Sequence, residues 1–188
     1  MRYIADTVDF ELKEPTVVTL GKFDGRHRGH QKLLRTMEEV KESLGYATAI
    51  FTFSTAPLTL VTGETATVIT TSEERRHNME KMGIDYLVEY PFTDDVRKMD
   101  PSVFVKDILV KRMRAKAMVV GPDCSFGYKG AGNVELLRTL SRELGFRLYV
   151  IEKEKDHRRD ISSTYIREAL HDGNVKLANE LLGYRYYV

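Results

Sequence analysis

The chain has 188 residues, 42% hydrophobic, 30% charged and 10% aromatic, the profile of one soluble globular domain that buries its own core without disulfides or a structural metal. Cys124 is its only cysteine, which excludes an intramolecular disulfide and fits an intracellular compartment. Twenty-nine basic against 28 acidic residues leave a net charge of +1, so no global field draws the chain to nucleic acid or an anionic membrane. No apolar run approaches the ~20 residues of a membrane span, and the start, Met1 to Asp6, lacks a signal-like apolar stretch. A cytoplasmic protein is expected, in which any polyanion is met by a local site.

In chain order, the β-branched run Thr16 to Leu20 predicts a first strand. A helix from about His30 to Leu44 follows, with Leu33, Met37, Val40 and Leu44 on one face and a stop at Gly45. Ala47 to Phe53 reads as the second strand. The stretch from Ser54 to Thr70 carries few structural signals and reads as a long loop, a candidate flap over substrate. A helix opens at Thr71 or Ser72 with Glu74 completing a capping box and ends at Gly83. Tyr86 to Tyr90 is the third strand. Asp100-Pro101, a cap followed by proline at the first helical position, starts a helix expected to bury Val103, Phe104, Ile108 and Leu109. Ala117 to Val120 is the fourth strand, Asn133 opens a helix with Leu136, Leu137 and Leu140 that ends at Gly145, and Arg147 to Ile151 is the fifth strand. Two short helices, about Thr164 to Leu170 and Val175 to Leu182, flank the turn Asp172-Gly173-Asn174. Strands apolar throughout, alternating with helices, predict a doubly wound, Rossmann-like parallel α/β sheet of about five strands with helices on both faces, as a single domain over 1–188. Ligands then sit at the carboxyl ends of the strands.

The end of the first strand, Gly21-Lys22-Phe23-Asp24-Gly25-Arg26-His27-Arg28-Gly29-His30, places three glycines and two histidines at a strand-to-helix turn. It is neither a Walker loop nor a G-x-G-x-x-G fingerprint. The helices near Ser72, Asp100 and Asn133 have acids at or near their starts, the usual complement to the positive end of the helix dipole. The helix after Gly29 has no acid until Glu38, and the one at Ser163-Thr164 none until Glu168, with Arg167 one turn in. Two phosphate-binding helix ends are inferred. The plainer readings are an H-x-x-H metal pair or two loop histidines for His27 and His30, a simple cap for Ser162-Ser163-Thr164, and a flexible loop for Gly127 to Gly132. Cys124 has no partner for nucleophilic chemistry and no Ser-His-Asp arrangement is legible.

His27-Arg28-Gly29-His30 after a first strand, with Ile161-Ser162-Ser163-Thr164-Tyr165-Ile166-Arg167 near the C-terminus, resembles the HxGH nucleotidyltransferases. Gly21-x-Phe23-Asp24-Gly25, Gly121-x-Asp123-x-x-Phe126-Gly127 and Ala178-Asn179-x-Leu181-Leu182-Gly183 are similar to the FMN adenylyltransferase (FAD synthetase) module of prokaryotic bifunctional riboflavin kinase/FMN adenylyltransferases. The resemblance runs from about Thr16 to Tyr186. It implies transfer of AMP from ATP to FMN, giving FAD and pyrophosphate with Mg²⁺ held mainly by the phosphates and no confident protein ligand to the metal. It implies that His27 and His30 face the α- and β-phosphates and that Gly29 admits them to the helix end. Ser163, Thr164 and the catalytic Arg167 hold the β- and γ-phosphates, Gly21, Lys22 and Phe23 wall the nucleotide, and Asp24, Asp123, Phe126 and Gly127 stand on the flavin or nucleotide side. The chain departs from the family pattern at Thr55-Ala56-Pro57, where F-x-P-H-P is usual, at Cys124, where an aromatic is usual, and at Asp160, where a basic residue is usual and Arg158 or Arg159 offers a substitute. The chain ends where a riboflavin kinase barrel would begin, so no riboflavin phosphorylation is expected. The alternatives are an HxGH nucleotidyltransferase with another phosphorylated acceptor, or a flavin- or nucleotide-binding module without turnover.

Overall fold

The computed structural model describes residues 1–54 and 67–186; the Thr55-Ala56-Pro57 departure and most of the candidate flap lie outside the described residues. Six parallel strands form the main sheet: β1 (Arg2–Ala5), β2 (Thr16–Leu20), β3 (Ala47–Phe53), β4 (Tyr86–Tyr90), β5 (Ala115–Val120) and β6 (Arg147–Val150), in the order β1-β4-β3-β2-β5-β6. Five strands were expected from the sequence; the sixth, β1, pairs with β4 as an edge strand whose first two residues are exposed, so its four residues never read as an apolar run.

Alternation along each inner strand feeds two separate cores. Val18, Phe51 and Met118 face one side, while Val17, Ile50 and Ala117 face the other. Both faces are therefore apolar, which is why these strands lack a polar alternation. On one face lie α1 (Arg28–Leu44) and α2 (Ser72–Lys81), which contribute Met37, Val40 and Met79. On the other lie a helix that begins as α4 (Pro101–Val103) and continues in π-helical geometry over Phe104–Arg112, and α5 (Val134–Leu144). A one-turn helix, α3 (Asp94–Arg97), precedes α4. The C-terminal pair α6 (Ser163–His171) and α7 (Val175–Leu182) packs as a third cluster with Ile69.

Several local expectations shift. The helix after Gly29 starts two residues earlier, at Arg28, because His27 rather than a later residue caps it. Leu34 is buried more deeply than Leu33 on that helix. Val103, expected in the core, is 42% exposed, since the π-helical turn that follows rotates the apolar face onto Phe104, Val105, Ile108 and Leu109. The segment Gly127 to Gly132 is a built turn, with a 3-10 turn at Tyr128–Gly130 and a two-residue bridge between Phe126 and Gly132. A second small sheet, β7 (Lys155–Asp156) paired antiparallel with β8 (Arg159–Asp160), leads directly into α6.

The strand order places the site. From β2 the chain builds outward through β3 and β4, then returns to the other flank of β2 for β5 and β6. The crevice at that reversal opens at the carboxyl ends of β2 and β5, where doubly wound sheets bind ligands. Among the described residues no helix is long and apolar enough to cross a membrane.

Candidate active site

A cleft of about 480 Å³ occupies this crevice. Gly21, Lys22, Phe23, His27, Gly29 and His30 form one wall, and Asp123 and Phe126 belong to the opposite one. Cys124, singled out in the sequence as a departure from the family pattern, also lines it, as do Arg75, Lys153, Glu154 and Ser162, which were not picked out as cleft residues.

The two histidines form a stacked pair, ring centroids 3.7 Å apart and 21° from parallel. The amide of His30 donates to Nδ1 of His27 at 3.3 Å, so His27 caps α1 with its side chain. An accepting Nδ1 fixes the tautomer: neutral His27 carries its proton on Nε2. Burial lowers the His27 pKa to about 4, with the charge of Asp24 pulling weakly the other way. His30 is driven well below its ordinary value, first by burial and then by its neighbour His27, with the Gly25 backbone opposing. Both rings are therefore neutral near pH 7 and act as N–H donors rather than cations. Phe23 closes the other side of His30, 4.8 Å centroid to centroid. Nδ1 of His30 is buried without a hydrogen-bond partner among the described residues.

Asp24 is 2% exposed and is not one of the residues that line the cleft. Its Oδ1 accepts from the Ile69 amide (2.9 Å), the Thr70 amide (3.0 Å) and the Thr70 hydroxyl (3.3 Å). Its Oδ2 pairs with Arg167 Nη1 at 3.1 Å, and its carbonyl oxygen accepts from the Ser163 hydroxyl at 2.7 Å. One residue thus ties the loop before α1 to the first turn of α6. Thr164 accepts from Arg167 Nη2 at 3.1 Å, while Ser162 accepts from the Tyr165 amide as the cap of α6. The Ser163 hydroxyl is spent on the Asp24 carbonyl, whereas Thr164 is exposed and its hydroxyl accepts from Arg167. Of this motif Ile161 and Ser162 line the cleft, while Ser163, Thr164 and Arg167 follow in the first turns of α6.

Gly25 explains itself in this setting. It adopts φ +62°, and a Cβ there would come within 2.7 Å of Ile69, the residue whose amide Asp24 receives. Neither α1 nor α6 has an acid in its first turn, as expected, but α7 lacks one too, so that feature alone does not mark a ligand site.

On the opposite wall Phe126 is held by Gly132, whose amide donates to its carbonyl at 2.9 Å, and it packs on Phe104 with ring centroids 5.9 Å apart. Gly127 packs against Pro101 and lies outside the lining. Cys124 is mostly buried, and its thiol is pushed up to about 11 by burial and by Asp123, so it is a thiol rather than a thiolate near pH 7. Arg159 stacks over the Tyr165 ring at 3.7 Å and pairs with Glu168, which commits it to α6. The cation beside Asp160 is instead Lys153, at 3.2 Å.

A model of the family described as FAD synthetase matches residues 9–165. The chain belongs to the FAD synthetase family. It is 32% identical over 174 residues to the bifunctional riboflavin kinase/FMN adenylyltransferase of Buchnera aphidicola subsp. Acyrthosiphon pisum (strain APS) and 32% over 177 residues to that of Escherichia coli (strain K12). To the Bacillus subtilis (strain 168) protein of the same name it is 31% identical over 182 residues. These matches cover 92%, 94% and 95% of this chain and 56% of each relative, so the chain spans about half the length of the curated relatives it matches. Among solved structures, a protein described as a macrolide-efflux protein from Streptococcus pneumoniae superposes with a TM-score of 0.85 at 28% identity, covering 98% of this chain and 70% of that one. Pantoate-beta-alanine ligase from Francisella tularensis shares the fold, with a TM-score of 0.57 at 12% identity over 90% of this chain and 70% of its own.

Proposed function

We propose that this FAD synthetase family member is a nucleotidyltransferase that transfers AMP from ATP to FMN. A phosphate oxygen of FMN attacks the α-phosphorus, the bond from that phosphorus to the bridging oxygen breaks, and pyrophosphate leaves with the electron pair. The observation that carries the reading is the joining of two helix starts through Asp24 at the sheet's reversal point, with a neutral, stacked histidine pair at one of them, where His27 is the cap.

FMN brings its own nucleophile, so the protein's task is to position two anions and stabilise charge on the leaving group. The start of α1 offers unpaired amides and the positive end of its dipole to the phosphates. His27 adds an Nε2–H donor whose tautomer its cap bond fixes. A neutral imidazole donates a hydrogen bond without the desolvation cost of a buried imidazolium. Arg167 is held in place by Asp24 and Thr164 and meets the outer phosphates from the α6 side, with Ser162, Ser163 and Thr164 presenting the amides of that turn. Gly21, Lys22 and Phe23 wall the nucleotide, and the Phe104 and Phe126 rings offer an apolar surface for the flavin.

Magnesium enters as part of the substrate, MgATP. The ion favours octahedral oxygen ligands and usually keeps phosphates and waters around it. In this reading the phosphate oxygens supply most of its ligands. The reading includes a single domain over 1–188 and a cytoplasmic location, supported by the lone cysteine.

The test is chromatographic: purified chain with ATP, Mg²⁺ and FMN. FAD and pyrophosphate are expected in equal amounts, with His30→Ala reduced at least about a hundredfold. ATP binding without FAD, but with pyrophosphate released on another phosphorylated acceptor, would replace FMN in this reading. Binding without any pyrophosphate would reduce it to a non-catalytic module.

A further inference from the structure

The far wall of the cleft is acidic, which is unexpected in a site for a triphosphate. Asp123, Glu152 and Glu154 all line it, and Asp160 adjoins it at the end of the β7–β8 hairpin. A carboxylate in a cleft with low-dielectric walls repels an anionic ligand over several ångströms, because field lines are focused there rather than screened.

Two of these acids share one cation. Nζ of Lys153 lies 2.9 Å from Asp123 Oδ2 and 3.2 Å from Asp160 Oδ2, and the Lys153 side chain itself lines the cleft. Glu154 is neutralised separately by Lys32 at 3.1 Å and Arg28 at 3.5 Å, both from α1. The Lys153 pairs do little for stability: the three side chains are 34%, 68% and 42% exposed, and such pairs contribute about 0–1 kcal/mol. Their position, rather than their strength, is what distinguishes them. With Lys153 the trio carries a net charge of −1; without it, −2, beside the cleft.

We propose that Lys153 is the charge-compensating residue of this site, masking Asp123 and Asp160 so that a polyanionic nucleotide can occupy a cleft with an acidic wall. Its role is electrostatic and indirect: it acts through the two carboxylates and needs no contact with the reacting atoms. The compact ammonium satisfies two carboxylates on different elements with two of its three N–H donors. The hydrogen bonds it donates to both carboxylates raise its pKa, which keeps it charged throughout the neutral range. Sequence alone hides this role, since Glu152-Lys153-Glu154-Lys155-Asp156 reads as a solvated run of alternating charge.

The inference rests on the nucleotide-binding reading above, and calorimetric titration with ATP in the absence of FMN tests it without turnover. At low ionic strength Lys153→Met is expected to weaken ATP about tenfold, and the deficit should shrink to about twofold at ~0.5 M salt, where the Debye length falls below ~5 Å. Lys153→Arg should bind within about twofold of the wild type. The decisive variant is the double one: Lys153→Met/Asp160→Asn returns the trio to −1 and should recover most of the affinity, while Asp160→Asn alone binds as well as wild type or better. Lys153→Met binding equal to wild type, a double variant as weak as Lys153→Met, or a deficit unchanged by salt would each overturn the proposal. A wild-type chain that does not bind ATP would remove the nucleotide reading itself, an outcome distinct from wild-type binding that every variant shares.

Discussion

Replacing His27 by Asn isolates one proton's contribution to the stability of the fold. In the folded chain burial lowers the His27 pKa to about 4, against an ordinary value of 6.5 in the unfolded chain. Between these values the unfolded state binds the proton and the folded state refuses it, so stability is full above the unfolded pKa and falls as the pH drops from 6.5 towards 4. Complete titration corresponds to about 3 kcal/mol, and the step from about pH 7.5 to pH 5 to about 2 kcal/mol. His30 is depressed for the same reason and, in part, by His27, so its contribution has the same sign. Asn is chosen because it is itself a strong N-cap and can accept the His30 amide without titrating. Urea unfolding followed by circular dichroism at both pH values gives the difference. The wild type should lose about 2 kcal/mol more than His27→Asn across that step, or roughly 4–8 °C in midpoint for a chain of this size. Parallel losses in the two proteins would refute the buried, neutral histidine pair, and with it the assignment of His27 as a donor through Nε2.

Three other substitutions probe the frame around that pair. Asp24→Asn leaves the Arg167 guanidinium without its buried counter-charge and should cost about 3 kcal/mol in thermal or urea unfolding while abolishing FAD formation. Arg167→Lys keeps the charge but loses the fork that spans Asp24 and Thr164, so the FAD assay should show kcat lower by about 10- to 100-fold with the unfolding midpoint nearly unchanged. Gly132→Ala drives a Cβ to 2.4 Å from the Phe126 ring, so it should raise the KM for FMN more than that for ATP, about tenfold, by displacing an aromatic of the cleft wall.

The inner strands were legible because burial on both faces leaves continuous apolar runs such as Ala47 to Phe53, and their helices because caps and stops are local: Thr71 with Glu74, Asn133, Gly45 and Gly145 all act where the sequence places them. Elements stabilised from outside were not. The β1 strand forms because β4 offers it an edge, and the two-residue strands of the β7–β8 hairpin are too short to carry a period. The π-helical run after Val103 follows from packing Phe104 and Ile108 onto the sheet, which no local residue announces. Within the site, the histidines, glycines and the Ser-Ser-Thr turn stood out because their residue types are unusual at helix starts. The true surroundings of Asp24 did not, since its partners Ile69, Thr70 and Arg167 lie 45, 46 and 143 residues away. Lys153 was hidden for the converse reason, in a run of charges whose simplest reading is solvent.

Asp24 shows why the two motifs need each other. The α1 motif supplies its histidines from the first quarter of the chain and the α6 motif supplies its serines and Arg167 from the last, and either helix start alone is an ordinary capped terminus. A phosphate chain can be gripped from two sides only if the two starts are held at a fixed separation. The sheet does not provide that, because α6 packs with α7 in a cluster of its own outside both main cores. The backbone of Asp24 receives Ser163, its carboxylate receives Arg167, and the same carboxylate fastens Ile69, whose side chain belongs to the α6–α7 cluster. Gln31 adds a second tie, donating from one amide nitrogen to the carbonyls of Arg26 and Leu182 at 3.0 and 2.7 Å. A buried carboxylate thereby sets the spacing between the two helix starts that the proposed function assigns to the phosphates, and that spacing is fixed by contacts made within the protein rather than with a ligand.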